Sequence, residues 1–322
     1  MNVFRRFDIE NPNRLNLARW LVDTKNPLTA RVTANRIWQS FFGSGIVKTA
    51  DDFGIQGEKP THPELLDWLA SELMASNWDV KHLVRLIVTS STYQQSSKAT
   101  PESHANDPAN RLLARGPRSR LPSWMIRDQA LAVSGLLNSR IGGPSFKPYQ
   151  PAGVWEEATF GKKRYQQDRG ANLYRRSLYI FWRRIVGPTM LFDAGKRQTC
   201  SVVPSKTNTP LHALVTLNDT AFVEAARNLA QLAIQHSPEK LHGQIRFAFR
   251  SATSRFPTDQ ELQLLTRRFE KTKSEFESNQ QDAHQLLKVG ESIPDKSIQS
   301  IELAAMTTTC LLILNLDETL NN

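Results

Sequence analysis

Apolar residues recur every three or four positions along most of this chain, and this spacing is what most constrains its fold. Val80, Leu83, Val84 and Ile87 are one clear case, because positions i, i+3, i+4 and i+7 share one face of an α-helix. A late run, from about 297 to 316, is largely apolar and is expected to lie at the centre of a core. The sequence therefore predicts a mainly α fold, a multi-helix globular assembly with one small β element and long irregular connections.

The small β element is predicted at residues 177–182, which are rich in the aromatic and β-branched residues that favour strands. Residues 199–203 are a second candidate strand. Changes in composition divide the chain into an N-terminal helical lobe (1–140), a basic and aromatic segment (141–209) and a C-terminal helical lobe (210–322). We expect these parts to pack as one unit.

Two helix starts carry the capping-box pattern, in which a threonine is followed three residues later by a glutamate. They are Thr61 with Glu64 and Thr258 with Glu261. Each threonine is expected to accept a hydrogen bond from the backbone of its glutamate, which reaches back to the cap.

A second polar pattern lies on the predicted helix from about 29 to 42, where Arg31, Asn35 and Arg36 cluster beside Trp38. Such a cluster either binds a ligand or anchors a polar network. We favour a structural role in which it orders a neighbouring loop.

The stretch from 192 to 219, called here the 192–219 corner, concentrates polar side chains around a helix start at Thr209-Pro210. A second cap follows at Asp219, and paired helix starts favour anions. We predict one polar pocket at the first of these starts, formed by Asp193, Arg197, Asn208 and His212. The alternative is that these residues only build the corner, because caps and turns use the same residue types.

Residues 162–184, called here the basic segment, interleave eight lysines and arginines with tyrosine and tryptophan. Such a mixture can hold a phosphate or sulfate and stack on a sugar or base. The candidate anion-binding residues are Arg175, Arg176 and, outside the segment, Lys206. The alternative is a solvated edge strand whose charges prevent edge pairing.

The whole chain of 322 residues is basic, with a formal charge of +10 and a pI near 9.7, which is compatible with a polyanionic partner. Only the charge suggests nucleic-acid binding, and we do not favour it, since no zinc-finger spacing, RNP-like motif or clear helix-turn-helix is present. No apolar run approaches the roughly 18–20 residues of a membrane span. The first fourteen residues lack an apolar region, so we expect no signal peptide.

Cysteine usage limits the cofactors. Cys200 and Cys310 are the two cysteines, and neither CxxC nor CxxCH occurs. We therefore expect no covalent c-type haem, no cysteine-rich zinc site and no other metal site in this chain. The two cysteines permit one disulfide or two buried free thiols.

Several long stretches together resemble a known family. They are LARWLVDTKNPLTARVTANRIWQSFFGSGIV, DDFGIQGEKPTHPELLDWLASEL, LYRRSLYIFWRR, FDAGKRQTCSVVPSKTNTPLHALVTLND and LLILNLDETL. The chain resembles the planctomycete-specific bacterial C-terminal domain of unknown function numbered fifteen-fifty-three in that series. The resemblance implies an exported or periplasmic protein in which a cytochrome-c-like domain carries the haem. Two residues depart from the expected pattern, Lys206 in place of arginine and His212 in place of glutamine.

Three functions follow from these observations. The first is a non-enzymatic binding or scaffold module of exported, haem-associated proteins, contacting anionic glycans or a partner protein. The second is an enzyme acting on polysaccharide through the 192–219 corner, with Asp193, Cys200 or His212 as the reactive group. The third is nucleic-acid binding through the basic surface. We favour the first.

Overall fold

The computed structural model describes residues 13–183, 186–193, 202, 206–237 and 240–321. Contacts within the chain define two compact units, Met1–Ser119 and Arg120–Asn322. The composition of the sequence predicted the first boundary at residue 140. The contact boundary lies earlier because the helix Ser123–Val133 packs against a helix of the C-terminal unit.

The N-terminal unit is built from short helices around an apolar core. The helices are α1 (Arg14–Leu21), α2 (Thr29–Phe42), α3 (Pro63–Ala75), α4 (Val80–Val88) and α5 (Pro101–Asn106). Trp38 of α2, Leu69 and Leu73 of α3 and Leu83 and Ile87 of α4 are buried together. Leu83 and Ile87, which are spaced i, i+4 on α4, face the core as predicted, whereas Val80 of the same pattern is exposed.

The loop after α2 is held by Asn35, which is fully buried. Its amide nitrogen donates to the carbonyl of Val47 at 2.9 Å, and its carbonyl accepts from the Val47 backbone N–H, also at 2.9 Å. A single side chain thus satisfies both backbone groups of a buried residue. Gly45 lies against the same amide, since a Cβ there would be 2.6 Å from its nitrogen. The prediction that this polar cluster orders a loop is confirmed for Asn35.

We predict that Asn35→Ala lowers the free energy of unfolding by about 2 kcal/mol or more, because it leaves the Val47 N–H and carbonyl buried without partners. Arg36→Ala is the control, since Arg36 lies on the same helix with its side chain exposed. Urea unfolding followed by circular dichroism measures both variants. Equal midpoints for the two variants would show that the loop does not depend on Asn35.

The C-terminal unit is larger and also helical. Its helices are α6 (Ser123–Val133), α7 (Val154–Ala158), α8 (Pro210–Asn218), α9 (Thr220–His236), α10 (Leu241–Thr253), α11 (Asp259–Ser278), α12 (Gln280–Leu287), α13 (Ser300–Leu314) and α14 (Asp317–Leu320). The helices α9 and α13 pack against each other at the centre, and α10, α11 and α12 surround α13.

Small side chains explain how closely α9 is packed. Ala225, Ala226, Ala230 and Ala233 of α9 are fully buried. Alanine lets neighbouring helices approach while it favours the helix itself. The helix α13 is buried over most of its surface, so the prediction of a central apolar helix near residues 297–316 is confirmed.

The mainly α prediction is confirmed, and the described residues form isolated β-bridges rather than a sheet. The strand predicted at 177–182 is wrong. Ser177–Tyr179 is a 3-10 helix, followed by one parallel bridge between Phe146 and Ile180. The second candidate strand, 199–203, lies outside the described residues except for position 202.

A buried arginine and its neighbour on α6 fix the backbone that leads into this stretch. Arg127 of α6 donates to the carbonyls of Leu173 at 2.7 Å and Arg175 at 2.9 Å, and to the hydroxyl of Ser177. The neighbouring Asp128 accepts from the Ser177 backbone N–H. These backbone groups therefore bond to side chains of α6 and are not available to a neighbouring strand.

The two capping boxes have different outcomes. At α11, Thr258 accepts from the backbone of Glu261 and the glutamate carboxylate accepts from the Thr258 backbone, which confirms that box. At α3 the prediction is wrong, because His62 occupies the cap and makes no side-chain cap bond. Thr61 instead donates its backbone N–H to the carbonyl of Ile46. A contact distant in sequence thus replaces the local one.

Within the part of the chain that the structure describes, no helix is long and apolar enough to cross a bilayer.

Candidate functional site

The structure brings Asp193 and His212 of the 192–219 corner together. The His212 Nε2 atom lies 4.0 Å from the Asp193 Oδ1 atom, and the imidazole stacks on Phe192 with ring centres 4.1 Å apart. Asp193 adopts a left-handed φ of 59°, which aspartate tolerates better than most residues. Its carboxylate accepts from the Thr207 backbone N–H at 2.7 Å and from the Thr207 hydroxyl at 2.8 Å.

The other two members of the predicted pocket do not join this pair in the described structure. Arg197 lies outside the described residues, as does Cys200, and Asn208 is exposed. His212 is buried, and its Nδ1 has no hydrogen-bond partner among the described residues. The described part of the corner thus contains a contact between Asp193 in a turn and the buried His212 of a helix. The four-residue pocket stays a prediction.

Both predicted helix starts in the corner are present. Thr209 occupies the cap of α8 with Pro210 at the first helical position, although the threonine side chain makes no cap bond. Asp219 caps α9 by accepting from the Ala221 backbone N–H at 3.0 Å. Burial raises the pKa of the Asp219 carboxyl, and its bond to Ala221 opposes that rise.

We predict that Asp193→Asn lowers the free energy of unfolding by about 1.5–3 kcal/mol, because an amide removes an anionic acceptor from the Thr207 N–H and hydroxyl. Asn208→Ala is the control in the same loop, since Asn208 is exposed. Thermal unfolding of the two variants beside the parent measures the effect. If the Asp193→Asn variant melts at the same temperature as the parent, Asp193 is not needed for stability, and a functional role of the corner is favoured.

The three candidate anion-binding residues are placed differently. Arg175 is 3% exposed, donates to the carbonyl of Pro144 at 2.6 Å and also to that of Gly142, and lies 3.9 Å over the ring of Tyr179. Its guanidinium therefore holds the backbone of a preceding loop and is turned away from solvent. Arg176 and Lys206 are exposed, and partial desolvation lowers the pKa of Lys206. An anion-binding role for these two stays a prediction.

A polar groove is formed in part by residues of the basic segment. It has a volume of about 650 Å³ and is called here the Glu291 groove. It is lined by Lys147, Tyr165, Gln166, Gln167, Asp168, Arg169 and Glu291. Two cations, two carboxylates, two amides and a phenol thus face one space, and they come from three separate stretches of chain.

The first two stretches are joined by Asp168. Its carboxylate accepts from the backbone N–H of Lys147 at 2.7 Å, and its own N–H donates to the Lys147 carbonyl at 3.0 Å. The Tyr165 hydroxyl donates to the carbonyl of Pro148 at 2.7 Å, and its ring stacks on the buried Trp155. Side-chain bonds and aromatic stacking therefore fix this wall without a sheet.

The third stretch contributes Glu291. Its carboxylate accepts from the Gly170 backbone N–H at 3.0 Å and from the Gln167 amide at 3.4 Å. The Arg169 guanidinium, which is 89% exposed, lies 4.0 Å away. Because this ion pair is long and solvated, it contributes little to stability, and Arg169 can turn towards a ligand.

The loop that carries Glu291 is anchored to a buried carboxylate, Glu224 of α9. Its oxygens accept from the hydroxyls of Tyr149 at 2.8 Å and Tyr174 at 2.9 Å, and from the Ser292 backbone N–H at 2.5 Å. Burial, reinforced by the charge of Glu224, raises the pKa of both tyrosines well above the usual range. Both hydroxyls therefore stay protonated and remain donors.

Arg227, one turn further along α9, donates hydrogen bonds to backbone carbonyls of the same loop and of the residue that precedes it at the end of α12. It donates to Leu287 at 2.6 Å, to Val289 at 2.5 Å and to Ser292 at 2.5 Å, and it lies 3.7 Å from Glu224. Both charged side chains are 1% exposed. A buried pair of this kind is stable because further hydrogen bonds satisfy each partner.

The loop must approach Glu224 closely, and Gly290 makes this possible. Its φ is +87°, and a Cβ built there would lie 2.3 Å from the Glu224 carboxyl carbon. Any side chain at this position would displace the carboxylate from the tyrosines.

We predict that Gly290→Ala destabilises the chain by roughly 1–3 kcal/mol more than Gly153→Ala. Gly153 is the matched control, because its φ of +85° gives the same backbone strain while nothing lies within 4 Å of its Cβ position. The difference in unfolding free energy between the two variants thus isolates the contact with Glu224. If both variants lose the same unfolding free energy, the strain of the left-handed backbone accounts for the whole effect and the contact with Glu224 contributes nothing.

A comparison with protein families identifies the family of this chain. The model of the PSD1 family, described as a protein of unknown function (DUF1553), matches residues 13–269. The chain belongs to the PSD1 family. No curated protein and no solved structure matches it.

In this PSD1-family chain, five groove residues were not predicted from the sequence: Lys147, Gln166, Gln167, Asp168 and Glu291. One signal was present, since Asp168 is an isolated acid within the basic segment. Glu291 carried no comparable signal, because it meets Gly170 across more than a hundred residues of chain.

No group of three or more His, Cys, Asp or Glu side chains arranged to hold a metal ion occurs within the described ranges. Cys310 is a fully buried free thiol whose pKa is raised by burial. A thiol with a raised pKa is a poor nucleophile, so Cys310 packs as an apolar residue.

Proposed function

We propose that this PSD1-family chain is a non-enzymatic binding module that recognises an anionic polysaccharide in the Glu291 groove. The observation that carries the proposal is the lining, in which cations, carboxylates and amides face one space of about 650 Å³. A volume of this size suits a small ligand or a few residues of a chain.

The chemistry of the lining matches a charged sugar. Sugar hydroxyls both donate and accept, so they pair with the carboxylates of Asp168 and Glu291 and with the amide of Gln166. A carboxylate or sulfate on the sugar pairs with Lys147 or Arg169 through charge-assisted hydrogen bonds. A purely anionic ligand such as inorganic phosphate would meet the two carboxylates and be repelled.

The surrounding charge supports an extended anionic ligand. Lys162, Lys163 and Arg164 precede the groove and are exposed. Exposed cations of one sign raise the local concentration of an anionic chain and steer its approach. The groove then supplies the specific contacts, while the basic segment contributes attraction that depends on salt.

The enzymatic alternative has less geometric support. Both oxygens of Asp193 accept hydrogen bonds from Thr207, and His212 is packed against Phe192. Neither group lines the Glu291 groove. The haem-bearing partner implied by the family resemblance rests on that resemblance, with no contact in the described chain that identifies it.

The binding test uses polygalacturonate as the anionic polysaccharide and dextran as the neutral one, with isothermal titration calorimetry. We predict that Arg169→Gln weakens polygalacturonate binding by about ten-fold, the loss of one charge-assisted hydrogen bond. Arg140→Gln is the control with the same change of charge, since Arg140 is exposed and does not line the groove.

Three outcomes would contradict the proposal. Equal weakening by Arg169→Gln and Arg140→Gln would mean that diffuse charge alone attracts the polysaccharide. If dextran, which is neutral, bound as tightly as polygalacturonate, the cations of the groove would not contribute to binding. Release of reducing ends from polygalacturonate during the titration would favour the enzymatic alternative.

A further inference from the structure

A second groove lies where α9 ends and α10 begins. Its volume is about 520 Å³, and it is called here the Arg250 groove. It is lined by His236, Ser237, Gly243, Arg246, Phe247, Arg250, Ser251 and Phe256. The sequence alone predicted no role for any of these residues.

We propose that the Arg250 groove binds a tetrahedral oxyanion, a phosphate or sulfate group carried on a ring. Its described lining contains two guanidinium groups, two hydroxyls and an imidazole, and no carboxylate. Arginine presents paired N–H donors that match the oxygens of such an anion. This lining differs from the Glu291 groove, where carboxylates repel a compact anion.

The two arginines lie one turn apart on α10, so their side chains are neighbours on one helix face. Like charges in this arrangement destabilise a helix, and a bound anion between them would relieve the repulsion. Neither forms an ion pair with a described residue. Arg255, by contrast, is neutralised by Glu261 at 2.6 Å and Glu318 at 2.8 Å.

Aromatic contacts hold the donors in place. The Arg250 guanidinium lies 4.6 Å over the ring of Phe256, and His236 stacks on Phe247 with ring centres 4.5 Å apart. Phe256 is 60% exposed, which leaves one apolar surface for a ring on the ligand. The arginine is thus oriented before a ligand arrives, which lowers the entropy lost on binding.

Gly243 allows Ser237 to lie close to α10. A Cβ at this position would lie 2.6 Å from the Ser237 Oγ atom. The absence of a side chain therefore allows the Ser237 hydroxyl to approach the helix face that carries Arg246. A hydroxyl and a guanidinium can then contact the same anion.

The test measures binding of inorganic phosphate and phenyl phosphate to the whole chain by NMR titration, in a buffer free of phosphate and sulfate. Arg246→Gln with Arg250→Gln should weaken binding of both ligands by at least about ten-fold, because two charge-assisted contacts are lost. Arg267→Gln with Arg268→Gln is the control, since it removes the same charge from exposed positions on α11. The control should change affinity by less than about two-fold, as expected for distant, solvated charges.

Two further variants complete the test. Phe256→Leu should weaken phenyl phosphate binding and leave inorganic phosphate unchanged, because the ring contacts only the former. Arg246→Lys with Arg250→Lys retains the charge and loses the paired donors, so it should also bind more weakly. The lysine variant decides the outcome if the glutamine variant does not fold.

Equal affinity of the parent and both arginine variants would overturn the proposal. Equal weakening by the α10 and α11 variants would also overturn it, since attraction would then follow net charge. Arg169→Gln, which tests the Glu291 groove, should leave phosphate binding unchanged. The proposals for the two grooves are therefore tested independently.

Discussion

The buried pair of Glu224 and Arg227 is the contact on which much of the C-terminal unit depends. The carboxylate holds two tyrosines and one backbone N–H, and the guanidinium holds the carbonyls of the loop before α13. Removing either partner would leave the other charged and buried, which is far more destabilising than losing an exposed pair. One turn of α9 thus organises segments that are distant in the sequence.

Arg127 has the same kind of role as Arg227. Each guanidinium lies in the interior and donates to backbone carbonyls of an irregular segment. A long connection in a mainly helical protein must satisfy its backbone groups without a sheet. Arginine suits this task because it offers five donors and remains charged when buried. Part of the positive charge of the chain is therefore structural, and part is exposed to solvent.

Local patterns in the sequence predicted the helices well, and contacts between distant residues produced the differences. The Thr258 box depends only on neighbours and was confirmed, whereas Thr61 bonds to Ile46 in place of its predicted cap. Residues 177–182 have strand-like composition, but Ser177, the first of them, is hydrogen-bonded to the side chains of Arg127 and Asp128. In the candidate sites, Asp193 and His212 were predicted together from one short stretch and lie together. The Glu291 groove was not predicted, because three segments distant in the sequence form it and no local sequence pattern indicates that they are in contact.

The family match ends at residue 269, which lies within α11. The helix α13, whose residues fill the centre of the C-terminal core, and the loop that carries Glu291 both follow that position. A chain ended at residue 269 would expose the alanine face of α9 to water and leave Arg227 without its carbonyls. The boundary of family similarity is therefore not a boundary of folding. The helices that follow residue 269 belong to the same compact unit as α9, Arg120–Asn322.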